Sequence, residues 1–222
     1  GSFTTGLIKS IYSFKKKFIE KLDLAESACD IEINKLNQPS GKQDQYISVY
    51  GGISEFKINK NGKVHPKTLN LKNEIIDKLE DNLLLYFTGF SRNSSKILKE
   101  QNKKKILKNK EIISNLDFVK NLAREIKKSL IEGDLKNFGN LMNEHWEYKL
   151  SRSKNMTNKI INDCYNYALK NGAIGGKIVG AGGGGFLLFY TETPSKLRKA
   201  LEKTSLKEVR FKFDFEGVKQ IL

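Results

Sequence analysis

Apolar residues recur at helical spacing from the start of the chain. Leu7, Ile8, Ile11, Phe14, Phe18 and Ile19 predict a helix across 3–22, and Ala25, Ala28, Ile31, Ile33 and Leu36 a second across 24–36. A breaker cluster, Asn37-Gln-Pro-Ser-Gly41, follows, and Tyr46-Ile-Ser-Val-Tyr50 before Gly51-Gly52 reads as a strand. Segments 53–58 and 64–71 flank Asn61-Gly62, the strongest short-range hairpin signal. Residues 82–87, apolar from Leu83 onward and closed by Thr88-Gly89, predict a buried strand. From 94 to 170 the pattern is helical, with breaks near Asn102, Asn115 and Gly133 and across 151–155. Strand character returns at Gly175 and resumes at 186–190 after a glycine run. A helix is predicted over 194–203 with Thr193 as N-cap. The alternation of Val209, Phe211, Phe213 and Phe215 predicts a half-buried strand over 207–215. The order is α+β, and the change of texture near residue 92 divides the chain into expected domains 1–92 and 93–222.

The glycine run, Gly180-Ala-Gly-Gly-Gly-Gly185, is the most informative stretch. Glycine loses more conformational entropy on folding than any other residue, so such a run suits a backbone that needs positive φ or close approach to a ligand. Gly180-x-Gly182-x-x-Gly185 matches the dinucleotide fingerprint, but that fingerprint must open a helix, and here Phe186-Leu-Leu-Phe-Tyr190 follows as strand. No Gly-Lys-Ser/Thr follows, so a Walker loop is excluded as well. A loop that receives a phosphate or sugar, and a glycine hairpin that lets a helix pack closely, both remain open.

Composition narrows the function classes. The 222 residues carry a net charge of +15, yet Arg92, Arg124, Arg152, Arg198 and Arg210 are the only arginines. Arginine is the residue suited to bidentate phosphate recognition, whereas lysine scattered along the whole chain reads as a solvated surface, so nucleic acid is not the expected partner. Cys29 and Cys164 lack CxxC spacing and indicate a reduced compartment. No segment has the length and apolarity of a membrane span, and no secretory signal is visible, although the chain does not begin with Met; a cytoplasmic location is expected. His65 reads as a loop residue, His145 as a surface or satisfied histidine and Trp146 as core, so triad chemistry gains no support.

Two acidic features carry candidate chemistry. Asp44 sits in Pro39-Ser-Gly-Lys-Gln-Asp-Gln45, between a breaker and an apolar segment. There it can act as a base toward a hydroxyl with Lys42 nearby, or satisfy its own turn. Upstream, Glu26, Asp30 and Glu32 lie on one helical pattern and could offer an oxygen ligand to Mg²⁺, or be solvated.

Taken in order, these segments resemble the GHMP small-molecule kinases. Gly175-Gly-Lys-Ile-Val-Gly-Ala-Gly-Gly-Gly-Gly185 is similar to the family's third motif, the Asp44 segment to its catalytic-aspartate segment, and Gly1-Ser-Phe-Thr-Thr-Gly6 to the tail of its second motif. The segments around Tyr50-Gly-Gly52, Leu83–Gly89 and His145-Trp146 agree best with members that act in heptose metabolism. The resemblance implies a two-domain α+β architecture: the remainder of a ribosomal-protein-S5-like N-terminal α/β domain and a helix-rich, ferredoxin-like C-terminal domain. It implies ATP and Mg²⁺ as cofactors and a sugar phosphate as substrate, phosphorylated at its anomeric hydroxyl. Asp44 would be the base and Glu32 the Mg²⁺ ligand. Gly180, Gly182, Gly183, Gly184, Gly185 and Gln45 would bind substrate, Arg92 would hold its phosphate, and Ser2 would contact the nucleotide. The family's first motif and most of its phosphate loop have no counterpart in the 222 residues, so the chain is expected to represent the C-terminal part of such a kinase. A fragment that binds sugar phosphate or a complementing chain, or a galactokinase- or fucokinase-like enzyme, is the alternative expectation.

Overall fold

The structure, a computed structural model, describes residues 1–89, 110–150, 156–180 and 182–221. They form two compact units, one of residues 1–70 with 212–222 and the other of 71–211. Strand β3 (Leu83–Phe87) lies before the change of texture at residue 92 but belongs to the second unit, where it pairs with strands from the C-terminal half. Among the described residues no helix is long and apolar enough to cross a membrane.

The first unit packs α1 (Ser2–Phe14), α2 (Lys21–Cys29) and α3 (Gln43–Tyr50) beside the hairpin β1 (Ser54–Ile58)–β2 (Val64–Thr68). Ile8, Leu24, Ala25, Ala28, Cys29, Tyr46, Val49 and Val64 form its core. The single helix expected over 3–22 ends at Phe14, and the chain turns through Lys16 at φ 53° before α2 begins. After Cys29 the helix widens into a π-helical segment, Asp30–Lys35, where the Leu36 N–H reaches back five residues to the Ile31 carbonyl.

The strand expected at 46–50 is instead α3, and tertiary context explains the difference. Tyr46 and Val49 are buried three residues apart on one helical face, Tyr50 stacks on Tyr46 with centroids 6.0 Å apart, and Phe56 meets Tyr46 edge-on at 5.8 Å. Those contacts with neighbouring elements outweigh the β-propensity of an aromatic and β-branched run. Asp44 complements the dipole in the first turn, and Gly51, at φ 68°, ends the helix. Residues 212–221 form no long strand; they strap this end, with Val218 N–H on the Ser48 carbonyl at 2.9 Å.

The second unit is an antiparallel sheet of order β4-β5-β3-β6, with β4 Ala173–Val179, β5 Phe186–Thr191 and β6 Lys207–Val209. The strand expected over 207–215 stops at Val209, because β6 pairs only with Leu85–Phe87 of β3. His65, expected in a loop, is on strand β2 opposite Lys57. Helices α4 (Asn73–Asn82), α5 (Lys110–Glu132), α6 (Leu135–Leu150), α7 (Lys159–Lys170) and α8 (Pro194–Leu201) surround the sheet. No break interrupts α5 near Asn115; the break at Gly133 is present, whereas those near Asn102 and at 151–155 lie outside the described residues. Thr193 occupies the N-cap of α8, but its side chain makes no cap hydrogen bond. Leu84, Tyr86, Trp146, Tyr165, Ile178, Leu187 and Phe189 are among the core.

Helix α6 lies directly against the edge strand β4. A Cβ added at Gly175 would fall 1.9 Å from the Gly139 carbonyl oxygen, and one at Gly139 would fall 2.7 Å from the Tyr190 ring. The obstacle at Gly175 is helix backbone, which no rotamer change relieves. Gly175→Ala is therefore expected to destabilise the second unit by about 3 kcal/mol, the upper end for overpacking. Gly6→Ala in α1, where nothing lies within 4 Å, should be neutral or stabilising by about 0.5–1 kcal/mol. Denaturant midpoints of the two variants check the contrast.

Candidate active site

In the first unit, the N-terminus of α1, the π-helical segment and the first turn of α3 meet. Glu32, on the π-helical segment, accepts hydrogen bonds at Oε1 from the Gly1 nitrogen at 2.6 Å and from the Thr4 hydroxyl, and at Oε2 from Gln45 Nε2 at 2.5 Å. Burial opposes ionisation of Glu32, while the hydrogen bonds from Thr4 and Gln45 favour its charged form. Gly1 also abuts Asp44, since a Cβ on Gly1 would lie 3.1 Å from the Asp44 backbone and Cβ. Asp44 is exposed, whereas its neighbour Gln45 is buried, with Oε1 lacking a hydrogen-bond partner among the described residues. The first N–H groups of any helix have no intrahelical acceptor, and no acidic residue occupies the first turn of α1. That end of α1 therefore presents positive potential beside two carboxylates.

A second carboxylate network supports the same elements. Lys42 Nζ contacts both oxygens of Glu26 at 2.9 and 2.7 Å and donates to the Gly62 carbonyl at 3.1 Å, while the Tyr46 hydroxyl donates to Glu26 Oε1. Burial pushes Glu26 upward, yet Lys42 and Tyr46 more than offset this and its pKa is lowered. Burial, with the Glu26 carboxylate, raises that of Tyr46. Cys29, buried beside this network, is pushed up to about 11 by desolvation and Glu26, which leaves it a protonated core thiol. Lys42 thus grips Glu26, not Asp44 as its sequence proximity suggests.

In the second unit, the glycine loop joins β4 to β5. Gly180, Gly182, Gly183, Gly184 and Gly185 all have positive φ, between 78° and 152°. Two of these positions show what the conformation serves. A Cβ at Gly182 would meet the Met156 sulfur at 2.6 Å, and the Gly183 N–H donates to the Met156 carbonyl at 2.7 Å. At the far end the Thr88 N–H and hydroxyl both donate to the Gly185 carbonyl, at 2.9 and 3.0 Å. At the near end the buried Lys149, from α6, donates to the Ile178 carbonyl at 3.1 Å and to that of Gly180. Lys177 on β4 lies 3.0 Å from His145 Nδ1, and desolvation lowers its pKa to about 8.

The comparisons with known proteins bear on both units. The model of the GHMP kinases C-terminal domain matches residues 126–207. A D-glycero-alpha-D-manno-heptose 7-phosphate kinase of Campylobacter jejuni is 31% identical over 220 residues, covering 98% of this chain and 64% of that protein. Residues 126–207 carry a GHMP kinase C-terminal domain, and the chain as a whole is similar to kinases of that family. A solved Campylobacter jejuni protein, provisionally assigned as a sugar kinase, superposes with a TM-score of 0.72 at 28% identity, over 98% of this chain and 62% of that one. A D-glycero-D-manno-heptose 1-phosphate kinase from Bacteroides thetaiotaomicron superposes with a TM-score of 0.69 at 23% identity, over 97% of this chain and 60% of that one, which speaks to the fold alone. The chain thus spans just under two thirds of the length of these relatives.

Within this GHMP kinase fold, Ser2, Glu32, Asp44 and Gln45 lie in the first unit and the five glycines in the second. Ser2 is exposed in the first turn of α1, and Arg92 lies outside the described residues. Among the described residues no group of three or more His, Cys, Asp or Glu is arranged to hold a metal. Two contributors escaped the sequence reading. Thr4 sits inside the Gly1–Gly6 motif, but only the fold shows that its hydroxyl reaches Glu32. Lys149 is one helical turn after His145, an i,i+4 spacing that places both on one face of α6 and could have directed attention to it.

Because the folded pKa of Glu26 lies below the ordinary 4.5, its contribution to stability is complete above that pH and is lost as pH falls through the folded value. Lys42→Met should move this loss to higher pH, and Glu26→Gln should flatten the stability profile of the first unit below pH 4.5. Acid titration of the unfolding midpoint for the three proteins measures the difference.

Proposed function

We propose that this chain is the greater part of an ATP- and Mg²⁺-dependent kinase that phosphorylates the anomeric hydroxyl of D-glycero-D-manno-heptose 7-phosphate to the 1,7-bisphosphate. The observation that carries this reading is the 31% identity to a heptose 7-phosphate kinase across 98% of the chain. The geometry of the first unit supports it. Unpaired N–H groups at the start of α1, with the Ser2 hydroxyl, suit the phosphates of a nucleotide. Asp44, exposed beside them, accepts the proton of the anomeric hydroxyl as its oxygen bonds to the γ-phosphorus and the bond to the ADP oxygen breaks.

Glu32 would hold Mg²⁺. Its carboxylate is ionised and presented beside the helix N-terminus, and Mg²⁺ commonly takes one or two carboxylates, with phosphate and water completing the shell. When bound, the ion supplies neutralisation of the phosphate charge. Gln45, buried and donating to Glu32, orients that carboxylate, so its part in substrate binding is indirect. The glycine loop supplies a side-chain-free backbone surface for the sugar phosphate, and Arg92 is assigned to the distal phosphate. These parts position and stabilise charge, which is most of what phosphoryl transfer requires.

A second reading, that the 222 residues alone bind sugar phosphate without turnover, draws on the 64% coverage of the relative. Isothermal titration of this chain with heptose 7-phosphate, beside a coupled ADP assay of the product of the complete reading frame, separates the two. In the latter protein Asp44→Asn is expected to lower kcat by about 10²–10⁴ with an unchanged circular dichroism spectrum and melting temperature. Loss of less than tenfold would remove Asp44 as the base.

A further inference from the structure

The least expected charge in the molecule is the Lys149 ammonium. It is buried at 7% exposure in the last turn of α6 and points at the end of β4, where it donates to the carbonyls of Ile178 and Gly180. Lysine is almost never fully buried without a partner that compensates its desolvation. Here the compensation includes two carbonyl oxygens at the point where the β4–β5 ladder ends, since the last pair is Val179 with Phe186. Carbonyls of a strand end and a helix C-terminus concentrate negative potential, and one cation serves both.

We infer that Lys149 is a positioning residue for the glycine loop, fixing the point at which the loop leaves β4 and so the placement of the backbone it offers to the sugar phosphate. This rests on the loop's role under the reading above. The two carbonyls that Lys149 grips, Ile178 and Gly180, lie on either side of the last ladder pair, so its ammonium fastens the end of β4 to the first glycine of the loop. The loop is otherwise tied at Gly183, by Met156, and at Gly185, by Thr88. Lys149 supplies the third tie, at the entrance. It also places a full positive charge behind a surface meant for an anion, which a neutral donor would not do.

The test uses the protein made from the complete reading frame. Lys149→Met keeps the stem and removes the charge and the hydrogen bonds to the Ile178 and Gly180 carbonyls. It should raise the KM for heptose 7-phosphate about tenfold or more, the scale of one charged hydrogen bond, while the KM for ATP changes less than about twofold. Lys149→Arg should restore most of the loss and Lys149→Gln only part of it. A melting temperature that falls in Lys149→Met with both KM values unchanged would overturn the proposal, because it would make Lys149 structural only. Should Lys149→Met fail to fold, Lys149→Gln and Lys149→Arg decide by the same KM ratio: equal KM values for both refute it. If the unmodified enzyme does not phosphorylate heptose 7-phosphate, the functional reading fails separately. Amide hydrogen exchange at Gly182–Gly185 then tests the tie without substrate: faster exchange in Lys149→Gln than in the parent supports it, and equal rates reject it.

Discussion

The second unit depends on one backbone contact, the approach of α6 to β4 at Gly139 and Gly175. With a Cβ at Gly175 confined to 1.9 Å from a helix carbonyl, the helix and the edge strand lie as close as bare backbones permit. Everything further along α6 inherits that alignment. His145 meets Lys177, Trp146 enters the core, and Lys149 arrives at the strand end within reach of two carbonyls. A glycine loop has little internal preference for one conformation, so its geometry must come from its surroundings. Here it comes from a helix whose register on the strand is set by two glycines elsewhere.

The first unit reaches comparable order by a different route. Its site is a carboxylate, Glu32, surrounded by donors from three chain segments, and those donors also join α1, the π-helical segment and α3. The π-helical widening places Glu32 in a part of the chain where ordinary α-helical spacing would direct it elsewhere, and such widenings are frequent at functional sites. Glu26 performs a parallel service six residues earlier by taking Lys42 and Tyr46. Lys42 is therefore committed to Glu26, and Asp44 remains exposed with the helix N-terminus as its electrostatic neighbour.

How much of this was legible follows from what each signal measures. The Asn61-Gly62 hairpin, the buried run 83–87 and the strand–glycine–strand passage were readable because turn chemistry and apolar continuity are local. Residues 46–50 were misread because their β-propensity is also local, whereas the partners that make them helical, Tyr12, Ile31 and Phe56 among them, are distant in sequence. The Gly51-Gly52 pair reads equally as a strand end or a helix stop, and only α3's buried face decides between them. Asp44 and the glycine run stand out locally, as an Asp after a breaker and five glycines in six positions, but only the motif resemblance gives them roles, since either is also compatible with a bland structural part. Thr4 and Lys149 were missed because their importance lies in which oxygen they reach, and that is a property of the fold.

A phosphoryl transfer, as proposed above, would explain why the two units can each be satisfied internally. The reaction demands little covalent participation from the protein and much fixed charge, so a helix N-terminus, a carboxylate and a directed backbone surface can each be prepared in separate elements. Preparation has a recognisable signature: polar groups whose desolvation is met by neighbours before any ligand arrives. Glu32 accepts hydrogen bonds from three donors, and Lys149 is buried against two carbonyls. Buried charged groups of this kind are often replaceable by apolar residues of similar volume without loss of stability. Under the proposed function, the start of α1 beside Glu32 and the end of β4 beside Lys149 would each be a surface prepared for an anion.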